Sequence, residues 1–283
     1  MTRMLLAIDV GNSNTVMGLY DLTTAERNPP IHFWRLTTPK HTTIDELGVQ
    51  MRSMFALHGL DLSVVEAIVI ASVVPPVDSM LRHVCDRFFK LRPLFVEPGV
   101  KTGLPVLTDN PAEVGADRIV NCIAAFEKYG GPCVVVDMGT ATTFDVISPK
   151  GEFLGGAIAP GLGISADALF DSAARLTRVD IKRPSKIIGT STTDNIQIGL
   201  YYGYIGLVDG ILERLIAELG GKVKAVATGG LAKLIAGGSK YIEVVDEMLT
   251  LDGLRLIHER NLDRNLERSR RRASTVPQPT AKV

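Results

Sequence analysis

Two short segments carry aspartate, glycine and threonine in one arrangement: Asp9, Gly11 and Thr15 in the run Leu5 to Tyr20, and Asp137, Gly139 and Thr143 in the run Cys133 to Ile147. In each, an apolar run delivers an aspartate to its end. A glycine able to adopt positive φ follows, and small polar residues lead into a second apolar run. The backbone N–H groups and hydroxyls of such a turn suit phosphate oxygens. Asp and Gly between two apolar runs are ordinary hairpin chemistry when met once. Met twice at equal offsets, they point to two opposed jaws around one polyanion.

A third constellation is not duplicated. Gly115-Ala116-Asp117-Arg118 opens a helix whose apolar positions Ile119, Cys122, Ile123 and Phe126 face a core. An acid in a first helical turn is favoured by the macrodipole by about 0.5 kcal/mol, so Asp117 has a structural reason to be there. Arg118 is placed against the same dipole and asks for an anionic ligand or partner. The helix expected after Gly229-Gly230 offers free N–H groups to a ligand. The glycines of Gly155-Gly156-Ala157-Ile158-Ala159-Pro160-Gly161 read as a tight strand-to-helix connection rather than a phosphate loop.

The elements that must position these residues also come in two sets. The first hairpin is followed by a strand over Ile31 to Leu36 and a helix from Thr43, with Thr43 and Glu46 in capping-box spacing. A continuous apolar strand, Ala67 to Val74, then ends at Pro75-Pro76 before a helix over Val77 to Phe89. The second half repeats the scheme, with the strand Ala225 to Thr228 before Gly229-Gly230 and a short helix, Leu231 to Ile235. Leu162 to Ala174 reads as a helix, and a long one runs from Thr192 or Asp194 to about Leu219. Its apolar stripe is wider than one core face needs, which points to a subunit contact. A closing helix spans Leu249 to about Leu262. The division expected is a first lobe over 1–110, a second over 111–265, and a disordered basic tail over 266–283.

Composition sets the outer bounds. Lysine plus arginine and aspartate plus glutamate both total 31, so no bulk charge draws the chain to nucleic acid or to an anionic membrane. No leader or membrane-length apolar run is visible, which gives a cytoplasmic expectation. Cys85, Cys122 and Cys133 lack metal or disulfide spacing and read as small core residues. The five histidines are scattered, so no protein-built transition-metal site is expected.

A duplicated lobe with an Asp-x-Gly hairpin in each half resembles the actin, hexokinase and Hsp70 superfamily. Asp109-Asn110-Pro111, Val114-Gly115-Ala116-Asp117-Arg118 and Asp137-x-Gly139-Thr140-Ala141-Thr142-Thr143 narrow it, together with Ser72-Val73-Val74-Pro75-Pro76 and Thr228-Gly229-Gly230: the chain is similar to type III pantothenate kinases from about Met4 to Asn261. The resemblance implies an α/β fold of duplicated actin-like (ribonuclease H-like) ATPase lobes, mixed sheets with flanking helices. It implies ATP-dependent phosphorylation of pantothenate to 4'-phosphopantothenate, the first step of coenzyme A biosynthesis, by a homodimer. ATP phosphates would meet Asp9, Val10, Gly11, Asn12, Ser13, Asn14, Thr15, Val16 and Thr140, with Asp9 near Mg²⁺. Asp137 would hold a monovalent cation, K⁺ or NH₄⁺. Gly115, Ala116, Asp117 and Arg118 would bind pantothenate, Asp117 as proton acceptor and Arg118 at the carboxylate, and Thr192 would complete a partner's site. Two positions depart from the family pattern. Thr108 stands where a tyrosine is usual, and Ser191 where an asparagine is.

With no lysine in either hairpin and no Gly-x-x-x-x-Gly-Lys-Ser/Thr loop, the metals are expected to neutralise the phosphates. A non-catalytic ATP-binding module and a sugar or acetate kinase are the alternatives. Asp117 beside Arg118 argues against the first, and ADP release with a panel of acceptors separates all three.

Overall fold

The computed structural model describes residues 3–24, 26–39 and 41–274, with side chains through residue 262. Its centre is β1 (Met4–Val10), an apolar strand paired antiparallel with β2 (Asn14–Asp21) and parallel with β4 (Val65–Ser72). With β3 (His32–Thr37) and β5 (Leu94–Phe95) these form one sheet, in the order β3-β2-β1-β4-β5. The second sheet holds β6 (Cys133–Met138), β7 (Ala141–Ile147), β8 (Phe153–Pro160), β9 (Lys224–Thr228) and β10 (Ile242–Val245) in the order β10-β9-β6-β7-β8. Read from the hairpins outward the two orders coincide, and so do the directions of pairing. The lobes are two copies of one mixed sheet.

Period-two alternation decides what each face buries. Leu6, Ile8 and Val10 face α1 (Ile44–Ala56) and α2 (Pro75–Val84), while Leu5 and Ala7 face the other way. That other face meets α3 (Ala116–Tyr129) and α7 (Leu249–Ser274), which also pack on Cys133, Val135 and Val226 of the second sheet. Two helices thus lie between two sheets in one shared core. They cross closely enough that a Cβ at Gly253 would stand 2.2 Å from the Val120 carbonyl oxygen. The far face of the second sheet is covered by α5 (Thr192–Leu219) and α6 (Ala232–Ala236), with α4 (Leu162–Ser172) at its edge.

The Thr43 capping box forms as expected, Thr43 accepting from the Glu46 N–H and the Glu46 carboxylate accepting from the Thr43 N–H. Several expectations shift. The helix after Pro75 widens into a π turn over Cys85–Phe89. Gly155 and Gly156 lie inside β8, not in a connection after it. A Cβ at Gly156 would fall 1.7 Å from the Phe144 carbonyl oxygen, so glycine there serves strand-to-strand approach. Much of the α5 stripe is spent on its own sheet, where Tyr201, Tyr204, Ile205, Val208 and Leu212 are buried, leaving Gly199, Tyr202, Gly203 and Gly206 outward. The closing helix continues past Leu262 to Ser274, because no proline or glycine interrupts it after Gly253 until Pro277. Of the expected tail, 275–283 lies outside the described residues. The three cysteines are free and buried.

Candidate active site

The two hairpin turns face each other across a cavity of about 440 Å³. In the first, the Gly11 N–H donates to the Asn14 carbonyl at 3.0 Å and closes a turn between the paired Val10 and Thr15. In the second, the Gly139 N–H donates to the Ala141 carbonyl at 3.0 Å, between Met138 and Thr142. The second turn is one residue shorter. The hydroxyls of Ser13 and Thr140 lie 2.9 Å apart, joining the turns directly.

That one residue corrects the equal-offset reading of the threonines. Thr15 pairs with Val10, whereas Thr143 pairs with Asp137. A slip of one residue reverses a strand's faces. The true counterpart of Thr15 is therefore Thr142, and both are buried behind the site, against Thr38 and Tyr204 respectively. The residues opposite the two aspartates, Val16 and Thr143, line the cavity.

Three carboxylates from three elements converge there: Asp9 at the end of β1, Asp137 at the end of β6 and Asp117 in the first turn of α3. Each is half-buried, and Asp117 raises the titration of the other two. Burial first, then Asp117 and Asp137, raise Asp9 well above the ordinary aspartate range, with Arg35 opposing. Burial and Asp117 push Asp137 up to about 7, against a hydrogen bond from Asn121. Asp117 is raised by burial, while N–H groups of its own helix end hold it down. Its Oδ1 accepts from the Arg118 N–H at 2.8 Å, and a Cβ at Gly115 would stand 2.5 Å from the same oxygen. Glycine at 115 therefore gives this carboxylate its place.

Asp137 is held from behind. Asn121, fully buried in α3, donates Nδ2 to its Oδ2 at 2.9 Å and accepts from the Thr250 hydroxyl at 2.7 Å through Oδ1. Gly229 has φ +95°, and a Cβ there would lie 2.7 Å from Asp137 Oδ1. The glycine after β9 is thus a wall of the Asp137 pocket.

Of the residues named from the sequence, Asp9, Gly11, Asn12, Ser13, Asn14, Val16, Asp117, Asp137 and Thr140 line the cavity. Val10 and Thr15 are buried behind it. Gly115 and Ala116 shape the helix end, and Thr192 sits exposed at the start of α5, outside the cavity lining. Ser191 is the α5 N-cap, accepting from the Asp194 N–H at 3.1 Å. The Thr108 hydroxyl is buried without a hydrogen-bond partner, and its methyl would be 3.9 Å from a Cβ at Gly155.

Arg118 finds an anion inside the chain: its Nε donates to Oδ1 of the buried Asp145 at 2.6 Å. Asp145 was visible in the sequence as a charge inside the apolar run Phe144-Asp145-Val146-Ile147, a placement that demands a partner. Arg35 was also missed. It stands in β3 opposite Val16 and lines the cavity near Asp9, so a cation does face the two hairpin turns. The signal lay outside the hairpins, in the register of the third strand.

Comparison with known proteins bears on this site. The family model described as type III pantothenate kinase matches residues 5–214. A type III pantothenate kinase of Koribacter versatilis (strain Ellin345) is 63% identical over 263 residues, covering 91% of this chain and 96% of its own. Among solved structures, a Baf family protein from Campylobacter jejuni has a TM-score of 0.56 at 21% identity, covering 91% of this chain and 99% of its own. MreB 5 of Spiroplasma citri bound to AMPPNP has a TM-score of 0.51 at 13% identity, covering 95% and 99%. The last two likenesses are of fold, and they carry the actin-like ATPase architecture.

Proposed function

The chain belongs to the type III pantothenate kinase family and phosphorylates pantothenate in coenzyme A biosynthesis, and we propose that the three converging aspartates divide the work. The observation that carries this division is positional. Asp9 and Asp137 end equivalent strands of the duplicated sheet, whereas Asp117 belongs to the unduplicated helix that also bears Arg118. The duplicated pair serves phosphates and ions, and the single one serves the acceptor.

In this reading the turn from Asp9 to Val16, with Thr140 across from it, receives the ATP phosphates. The primary hydroxyl of pantothenate attacks the γ-phosphorus. The bond from that phosphorus to the bridging oxygen breaks, ADP leaves, and the hydroxyl proton passes to the Asp117 carboxylate. Burial fits Asp117 to this task, because a carboxyl raised toward neutrality is a better proton acceptor than an ordinary aspartate. Gly115 and Ala116 lie beside pantothenate, Arg118 faces its carboxylate, and Thr192 reaches the site of a partner copy in a cytoplasmic homodimer. The outward Gly199, Tyr202, Gly203 and Gly206 on α5 supply a face for that contact.

The donor set fits the ions an ATP-using kinase needs. Carboxylate oxygens suit Mg²⁺ and K⁺ or NH₄⁺, and a bound cation would offset the burial and the neighbouring carboxylates that raise Asp9 and Asp137. No group of three histidine, cysteine or acidic side chains forms a metal cage among the described residues, so phosphate oxygens would share the coordination. Asp9 would hold Mg²⁺ through the phosphates and Asp137 the monovalent cation. Bound there, the ions would neutralise charge on the moving phosphoryl group, whose loose transition state leaves catalysis to positioning and electrostatics. No described helix is long and apolar enough to cross a membrane.

The test is ADP release with pantothenate, sugars and acetate as acceptors, in potassium, ammonium and sodium buffers. Turnover with pantothenate that requires K⁺ or NH₄⁺, and that loses this requirement with most of its rate in Asp137→Ala, supports the assignment. Equal turnover in sodium alone removes the monovalent ion from it.

A further inference from the structure

Asp145 is fully buried in the middle of β7, between the apolar Phe144 and Val146. A carboxylate in that position costs several kcal/mol unless its partners are in place, and both of its oxygens are engaged. Oδ1 accepts from Arg118 Nε at 2.6 Å, and Oδ2 accepts from the hydroxyl of Thr143 at 2.9 Å, a residue of the cavity wall. Burial still pushes this carboxyl up to about 6, with Arg118 the largest opposing influence. The Arg118 side chain is only 16% exposed, and its guanidinium carbon lies 5.3 Å from the centre of the Phe153 ring. No described residue forms a hydrogen bond with its two terminal nitrogens. If the pair served only to fasten α3 to β7, apolar side chains of similar size would do so at lower cost.

A guanidinium offers a carboxylate two paired edges: Nε with one terminal nitrogen, or the two terminal nitrogens together. Asp145 occupies Nε and so removes the first choice. We propose that Asp145 is a positioning residue for substrate recognition, turning the end-on edge of Arg118 toward the carboxylate of pantothenate. The inference rests on the reading of Arg118 as the carboxylate contact, and it adds the residue that gives that contact its direction.

The experiment measures kcat/KM for pantothenate and for its alcohol analogue, in which a hydroxymethyl group replaces the carboxylate, and takes the ratio as the readout. Arg118→Gln tests the underlying reading: an unchanged ratio shows that Arg118 does not recognise the carboxylate. If Arg118→Gln collapses the ratio, Asp145→Ser is expected to lower it about tenfold, the scale of a lost charge-assisted hydrogen bond. The loss should fall in KM for pantothenate, with kcat and the analogue's KM nearly unchanged. Adding Asp145→Ser to Arg118→Gln should change the ratio no further. Asp145→Asn, which keeps an oxygen for Nε, should recover most of the preference. Should Asp145→Ser fail to fold, Thr143→Val frees Oδ2 and is expected to lower the ratio about threefold. An equal loss for both acceptors, or an unchanged ratio in a folded Asp145 or Thr143 variant, overturns the proposal.

Discussion

Replacing Asp137 by asparagine should stabilise the ligand-free protein while nearly abolishing its activity, and the size of the gain follows from the site. The Asp137 carboxyl titrates at about 7 in the folded chain against 3.8 for a free aspartate. Between those values the folded state keeps a proton that the unfolded state has released, so this group's contribution falls as pH rises through about 7. The full difference is worth about 4 kcal/mol. Water admitted to the cavity screens part of it, and roughly half, ~2 kcal/mol, is the working figure. Asparagine presents the same shape to Asn121 and cannot ionise. Thermal unfolding should be followed at pH 5 and pH 8 in a buffer whose only cation is too large to enter the site. At pH 8 the Asp137→Asn protein should melt about 4–8 °C higher, and at pH 5, part of the way from 3.8 to about 7, the gap should shrink to about a third of that. Asp9 is raised in part by Asp137, so in the variant its own penalty shrinks and widens the gap in the same direction. Potassium should narrow the gap by binding only the wild-type site. A variant that melts below wild type at pH 8 without potassium would refute the reasoning, because it would mean that the charged carboxylate stabilises the empty fold.

Asp117→Asn keeps size and polarity but takes no proton, so kcat should fall ~10²–10⁴-fold with nucleotide affinity retained. In the wild type kcat/KM should rise with pH through a value above the ordinary aspartate range, since burial raises Asp117 and only its ionised form accepts the proton. Wild-type turnover, or loss of ATP binding with the fold intact, would remove Asp117 from the role. Gly229→Ala should cost activity more than stability, because a Cβ at φ +95° presses on Asp137 Oδ1 and the Met138 carbonyl. The check is a raised potassium requirement measured beside an unfolding curve. If Thr192 completes a partner's site, mixing inactive Asp117→Asn chains with inactive Thr192→Ala chains should restore some turnover in the heterodimer. A fully active monomer in sedimentation would end that idea.

What the sequence discloses and what it conceals differ by range. Thr43 and Glu46 lie three residues apart, and their capping box could be read directly. The paired hairpins and the buried strands that follow them were legible for the same reason, since each is a local pattern of apolar runs and turn residues. Arg118 and Asp145, 27 residues apart, meet only because α3 packs across β7, and no local pattern states that. Arg35 was hidden by register: only the pairing of β3 with β2 brings it opposite Val16. Asn121 sat unnoticed on the helix whose apolar positions drew attention. Its neighbours Asp137 and Thr250 arrive from a strand and from a helix 129 residues away.

The two threonines of the hairpins show how a correct pattern can carry a wrong correspondence. Thr15 and Thr143 hold the same offset from their aspartates, but equal offset means equal position only if the turns are equally long. The second turn is one residue shorter, and the pleat converts that residue into a change of face. Thr143 is thereby released from the buried layer, where Thr15 and Thr142 sit, into the cavity wall opposite Asp137. From there its hydroxyl reaches Asp145, and Asp145 reaches Arg118. The duplicated sheets therefore make unlike sites. The longer first turn brings four residues to the cavity rim, suited to phosphates, while the shorter second turn connects the Asp137 pocket to the helix expected to hold the acceptor. Drawing Thr142 into the second turn, so that Met138 paired with Thr143, would turn Thr143 inward and cut that connection while leaving the sheet paired.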